Sequence, residues 1–167
     1  MNIQSKKANA KESASSLSDK EKQFIEQYAA LLAPRGLSPS AGRVYAYLLL
    51  RQAPVSVDQI SIDLEMSRVG AWNSVRNLET SEHVSRHSVP GSKRALYSSS
   101  KNFGAPLLKQ ATLLGEMSTL LGDFAENNAV GGVATELQDR ASFYLAIQRV
   151  MQEEIASLNA GRAREPK

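Results

Sequence analysis

The spacing of the apolar residues changes twice along this chain. Up to residue 80 they recur at three and four, as amphipathic helices require; over Val84-Ser85-Arg86-His87-Ser88-Val89 they alternate, with a β-branched residue at each end. Pro90-Gly91 then supplies a turn, Ala95-Leu96-Tyr97-Ser98 returns as a second strand, and helical spacing resumes near Phe103. The order is three helices, a fourth helix, a single hairpin and two long helices.

Local signals place the helix starts. Ser18-Asp19-Lys20-Glu21 and Ser56-Val57-Asp58-Gln59 have the form of capping boxes, and Ser38-Pro39 puts an N-cap before a proline at the first helical position, where no N–H is needed. Ala33-Pro34-Arg35-Gly36 ends the first helix, whose apolar stripe is Phe24, Tyr28, Leu31 and Leu32. In the second, Ala41, Tyr45, Leu48 and Leu49 are expected to face inward. Val55-Ser56 can form a very short strand. The fifth helix is expected from about Phe103 to about Glu126, with Leu107, Ala111, Leu114, Met117, Leu121 and Phe124 as its stripe. The sixth carries Val133, Leu137, Ala141, Tyr144, Ile147, Met151, Ile155 and Leu158 and ends at Gly161. Residues 1–17 are rich in Ser, Ala and Lys without periodicity, the composition of a disordered tail.

Charge is unevenly spread. Residues 54–65 hold Asp58, Asp63 and Glu65 with no base, whereas residues 66–101 hold Arg68, Arg76, Arg86, Lys93, Arg94 and Lys101 against Glu79 and Glu82. That local excess of four positive charges is a footprint for a polyanion. No apolar run approaches the ~18–20 residues of a membrane span, and the basic N-terminus lacks the apolar region of a secretory signal. With no cysteine there is no disulfide, thiol chemistry or zinc finger, which suits a cytoplasmic protein. His83 and His87 have no accompanying carboxylate cluster, and no phosphate-binding glycine loop occurs, so the chain is expected to be neither an enzyme nor a cofactor or metal protein.

The helix at residues 67–79, SRVGAWNSVRNLE, lies inside the basic block and is built from mediocre helix formers. On a helical wheel Ala71, Val75 and Leu78 make a narrow inward stripe. The opposite side gathers Val69, Asn73, Arg76 and Asn77, flanked by Arg68 and Trp72. Guanidinium and amide groups suit guanine and adenine edges in a major groove, while Ser67 and the free N–H groups of the helix start suit a phosphate. Gly70 allows close approach to a backbone, or is a tolerated defect. Trp72 can pack on a sugar or thymine methyl, or cover the core. A short helix, a turn and this polar helix form a helix-turn-helix. The hairpin, with Lys93 and Arg94 at its tip, supplies a wing. The expected fold is mainly α, an α+β winged helix-turn-helix with a three-helix core, and the expected partner is double-stranded DNA.

The segment SPSAGRVYAYLLLRQAPVSVDQISIDLEMSRVGAWNSVRNLE, with VPGSKRALY after it, resembles the GbsR-like branch of the MarR family of bacterial transcription regulators. The resemblance rests on Ser40-Ala41-Gly42-Arg43-Val44-Tyr45, the spacing through Ile60 and Leu64 to Ser67, and Pro90-Gly91 ahead of basic residues. It spans roughly residues 20–160. It implies an obligate homodimer on a pseudo-palindromic operator, a repressor released by a small ligand, with the recognition helix at Ser67–Thr80 and wing cations at Lys93 and Arg94. It also implies the division 18–36 (N-terminal dimerisation helix), 37–101 (DNA-binding domain), 102–160 (C-terminal helical hairpin for dimerisation) and 161–167 (tail). The sequence departs from the family pattern at Glu82-His83, where a glycine and an aliphatic residue are usual, at Ser92 in place of a wing aspartate, and at Trp72 in place of a small residue.

Dimerisation also follows from the residues themselves, because the stripes on the terminal helices exceed what one small winged domain can cover. For a ligand the candidates are Tyr28 and Tyr45, since a quaternary ammonium would need an aromatic cage; core packing is the commoner use of such tyrosines. The competing function is a winged-helix protein-interaction or sensor module without specific DNA binding.

Overall fold

Ser18, Ser38, Ser56 and Ser67 each start a helix through the same bond, the side-chain oxygen accepting from the backbone N–H three residues on. The computed structural model describes residues 17–88, 91 and 94–162. In it these bonds measure 3.3 Å to Glu21, 3.2 Å to Ala41, 3.1 Å to Gln59 and 3.0 Å to Gly70. The helices they open are α1 (Asp19–Leu32), α2 (Pro39–Leu49), α3 (Val57–Asp63) and α4 (Arg68–Thr80). Only the first is a complete capping box, since Glu21 reaches back to the Ser18 N–H at 2.8 Å. Gln59 instead donates to Asp63 Oδ1 at 2.6 Å, because that carboxylate also accepts from Tyr47 Oη at 2.6 Å and draws the amide forward. Burial, and then the Asp63 acceptor, push the Tyr47 hydroxyl pKa up to about 12.

The hairpin is β2 (Val84–Ser88) and β3 (Ala95–Ser99), joined by β1 (Val55–Ser56) in a three-stranded antiparallel sheet of order β1-β3-β2. Val55 pairs with Tyr97, and Arg86 pairs with Tyr97 from the other side. The short strand at Val55-Ser56 thus ties the hairpin to the start of α3. Ile25, Val44, Tyr47, Leu48, Ile60, Val75 and Leu78 form the core between α1–α4 and the sheet. Each fully buried large apolar side chain contributes about 1.5–3 kcal/mol.

Both helices of the motif end in a Schellman turn. After α3, Met66 N–H bonds Ser61 O at 3.0 Å and Glu65 N–H bonds Ile62 O at 3.2 Å; after α4, His83 N–H bonds Leu78 O at 2.9 Å and Glu82 N–H bonds Glu79 O at 3.0 Å. The left-handed position falls on glutamate in both, with φ 52° at Glu65 and 61° at Glu82, where glycine is the unstrained choice. Glu65→Gly is therefore expected to raise stability by about 0.5–1 kcal/mol, the relief of strain exceeding the added unfolded-state entropy. A urea melt of the variant checks this; a lowered midpoint would contradict it.

The last two helices, α5 (Ala105–Asn127) and α6 (Gly131–Arg162), pack on each other as an antiparallel hairpin. Their seam corrects the expected stripes. Ala111, Ser118 and Ala125 of α5 are buried, whereas Leu107, Met117 and Phe124 are exposed; on α6 the inward positions are Ala134, Leu137, Ala141, Tyr144, Gln148, Met151 and Ile155, leaving Val133, Ile147 and Leu158 outside. The alternating steps of three and four on α6 are those of a coiled coil. Small residues let the two backbones approach, as shown by Ser118 Oγ donating to Ala141 O at 2.7 Å and by Gly115, where an added Cβ would lie 2.3 Å from the Gln148 amide. On α5 the larger side chains Leu107, Met117 and Phe124 are displaced to the outer face.

Two other faces differ from expectation. On α1 the core takes Ile25 and Ala29, while Phe24 and Leu31 face outward, Leu31 being 73% exposed. On α2, Tyr45 and Leu49 are only partly buried, because Val44, Ala46, Tyr47 and Leu48 occupy the centre. Helix α6 also continues through Gly161 to Arg162. Residues 1–16 and 163–167 lie outside the described residues, as do Pro90, Ser92 and Lys93 of the expected turn and wing tip. No described helix is long and apolar enough to cross a membrane.

Candidate nucleic-acid interface

Helix α4 is anchored on one side only. Ala71, Val75 and Leu78 are fully buried as its stripe required, and Ser74 joins them. Asn73, Arg76 and Asn77 stand on the exposed face. The Arg76 guanidinium lies 5.0 Å from the centre of the Trp72 ring, a cation–π contact that steadies a long side chain without consuming its N–H groups. Trp72 is 46% exposed and lies outside the buried core.

At the start of α4 the Ser67 oxygen accepts from the Gly70 N–H, so its own hydroxyl hydrogen is left to donate outward. A Cβ at Gly70 would stand 3.0 Å from that oxygen, which gives the glycine a local reason: a side chain there would crowd the cap. Arg68 is 75% exposed at its side chain and pairs through Nε with Asp58 Oδ1 at 2.5 Å. Such an exposed pair adds little stability; its effect is to orient the guanidinium.

Between α4 and the sheet runs a cleft of about 470 Å³, lined among others by Asp58, Arg68, Trp72, Arg86, Arg94 and Tyr97. Three arginines, Arg68, Arg86 and Arg94, line it together with the carboxylate of Asp58, which pairs with Arg68. Arg86 was read from the sequence only as part of the charge block; its pairing opposite Tyr97 brings it to this cleft, a placement that depends on strand register. Arg94 is exposed just before β3, and Lys93 lies outside the described residues.

The remaining singled-out residues lie elsewhere. Tyr28 and Tyr45 have ring centres 6.0 Å apart, flanked by Phe24 at 5.5 Å from Tyr28 and by His83 at 5.0 Å from Tyr45. His83 Nδ1 is 2.9 Å from Ser81 Oγ, whereas His87 Nε2 is 2.9 Å from Ser98 Oγ, so the two imidazoles engage separate partners. Burial against Tyr45 lowers the His83 pKa from its ordinary 6.5. The unfolded chain therefore takes up this proton first as pH falls, and the fold loses stability below about pH 6.5 while gaining nothing above it. His83→Phe, which keeps a ring on Tyr45, is expected to shrink the drop in melting temperature between about pH 7.5 and about pH 5.5. An unchanged drop would assign that pH dependence to other groups.

The overall architecture has counterparts among solved structures. One described as a transcriptional regulator matches 84% of this chain and 99% of its own, with a TM-score of 0.76 and 21% identity. A mutant MepR from S. aureus bound to an oligodeoxyribonucleotide (16% identity, 83% of this chain and 90% of that one) and the transcriptional regulator SlyA (12% identity, 82% and 92%) superpose only loosely, with TM-scores of 0.41 and 0.38. No protein-family model and no curated protein matches the chain. The first likeness concerns the fold: this chain is a winged helix, with α3, its turn and α4 as the helix-turn-helix, β2 and β3 as the wing, and a long helical hairpin behind.

Proposed function

We propose that the protein is a sequence-specific, double-stranded-DNA-binding transcription regulator of the MarR type, in its GbsR-like branch, acting as a dimeric repressor. One observation carries this reading: α4 buries Ala71, Ser74, Val75 and Leu78 and turns Asn73, Arg76 and Asn77 outward beside a cleft holding Arg68, Arg86 and Arg94. A helix held on one side and hydrogen-bonding on the other fits a major groove, and the flanking cations fit the phosphates beside it. The transcriptional regulator of similar fold supports the reading.

In this account Ser67, Arg68 and the wing cations Lys93 and Arg94 position the protein on phosphate, and Asn73, Arg76 and Asn77 read bases. Residues 37–101 are the DNA-binding unit, and 18–36 with 102–160 form the dimer. The outward apolar faces of α1, α5 and α6 support a second copy as the partner, since the hairpin packs chiefly on itself and leaves Leu113, Leu120, Phe143 and Val150 uncovered. Release by a small ligand follows from the family resemblance; Tyr28 and Tyr45, packed on one another between α1 and α2, are the side chains it would have to part.

The test is the salt dependence of binding to a mixed-sequence duplex. The protein is expected to bind with an affinity that falls steeply with salt, and Lys93→Ala to weaken binding to all sequences while flattening the log–log slope by about one unit. No salt-dependent binding would favour a protein-interaction module, and an unchanged slope would remove Lys93 from the phosphate contacts.

A further inference from the structure

Each of the carbonyls that end α4 has a donor. Asn77 O accepts from Ser81 N–H at 3.1 Å, Leu78 O from His83 N–H at 2.9 Å and Glu79 O from Glu82 N–H at 3.0 Å. The last, Thr80 O, accepts from Lys109 Nζ, a side chain on α5. The same ammonium lies 3.5 Å from Glu82 Oε1, the residue held in the left-handed conformation just past the helix. Helix α4 has no basic residue in its own last turn, so the cation favoured at a helix C-terminus is supplied by the terminal hairpin. Lys109 thereby bridges two bodies that otherwise touch sparingly, since α5 packs chiefly on α6 and joins the winged domain through residues 100–104.

We infer that Lys109 is a positioning residue that fixes the angle of α4 against the α5–α6 hairpin and so sets the separation of DNA half-sites the dimer accepts. The inference rests on the regulator reading above. Its geometry is that of a lever. Helix α4, of 13 residues, is roughly 20 Å long, and a swing of about 10° about its Thr80 end moves the N-terminal end by about 3.4 Å, the rise of one base pair. Without the tie, the two recognition helices of a dimer adopt a range of separations instead of one.

Selection from a pool of randomised duplexes tests this, run in parallel with the parent protein, Lys109→Met and Lys109→Arg. The parent and Lys109→Arg are expected to enrich paired half-sites at one separation. Lys109→Met is expected to enrich the same half-site sequence at several separations, with the preference for the parental one reduced about tenfold, the cost of a misplaced base contact. A second readout needs no DNA. The chain has no cysteine, so Ile62→Cys, on the exposed face of α3, takes a single spin label per protomer. The label-to-label distance in the dimer is expected to be narrow in the parent and broad in Lys109→Met. Lys109→Met that keeps both the single separation and the narrow distance overturns the inference. A parent that enriches no paired half-sites overturns the regulator reading instead, and the spin-label widths still decide whether Lys109 holds α4.

Discussion

On the proposed dimeric reading, Leu120→Glu is expected to leave the protein a monomer at micromolar concentration and to lower its affinity for a paired-half-site duplex by at least about 100-fold. Leu120 is 71% exposed in the single chain and lies on one stripe with Leu113, Met117 and Phe124, spaced by four, three and four. That stripe faces away from the small-residue seam that joins α5 to α6. A large apolar side chain left in water forgoes about 1.5–3 kcal/mol each, and a symmetric partner recovers that for both copies at once. The same symmetry doubles the effect of a buried charge, because one substitution places a glutamate from each copy in the interface. The substitution leaves the hairpin seam intact, so helical content should persist while the dimer is lost. Sedimentation velocity paired with a duplex titration reads both effects. A variant that stays dimeric would move the interface off this face of α5.

The local chemistry of the winged domain could be read before its packing. Four serines marked four helix starts because an N-cap acts within three residues, and the hairpin was visible in the change of spacing at Val84. The anchor of α4 was equally plain, since Ala71, Val75 and Leu78 are the apolar residues that share one helical face, and Ser74 between them is buried with them. The long helices were harder. Both α5 and α6 carry apolar residues on more than one face, and the largest side chains were taken for the seam. Ala111 and Ala141 lie in the seam as expected, but Ser118 and Ala125 take the places expected of Met117 and Phe124, because close backbone approach requires small residues. On α1 the same ambiguity set Phe24 and Leu31 against Ile25 and Ala29. Arg86 and Lys109 were invisible as site residues for a different reason. Each acquires its position through a contact between elements, Arg86 by strand register and Lys109 by reaching across 29 residues to Thr80, and neither relation leaves a local pattern.

Arg76→Ala and Asn73→Ala are expected to cost about 1–3 kcal/mol at a cognate duplex, roughly 5- to 150-fold in affinity, with a smaller change on random DNA. Both side chains are exposed on α4, and neither belongs to the core, so the fold should melt where the parent does. Leu78→Ala separates the two faces of the same helix. It empties a fully buried site and should cost about 2–5 kcal/mol of stability, lowering affinity for every duplex together only where the fold begins to fail. Loss of the Arg76 guanidinium also frees the Trp72 ring it covers, so any indirect effect would show as a shift in tryptophan fluorescence. The most direct measurement is therefore a pair of titrations of the parent and Arg76→Ala, against a duplex selected by the parent and against its scrambled counterpart, at one salt concentration. The account predicts that the substitution removes most of its affinity loss from the selected duplex and so narrows the gap between the two. Equal losses on both duplexes, or a parent that never distinguished them, would contradict the claim that the outward face of α4 reads DNA sequence.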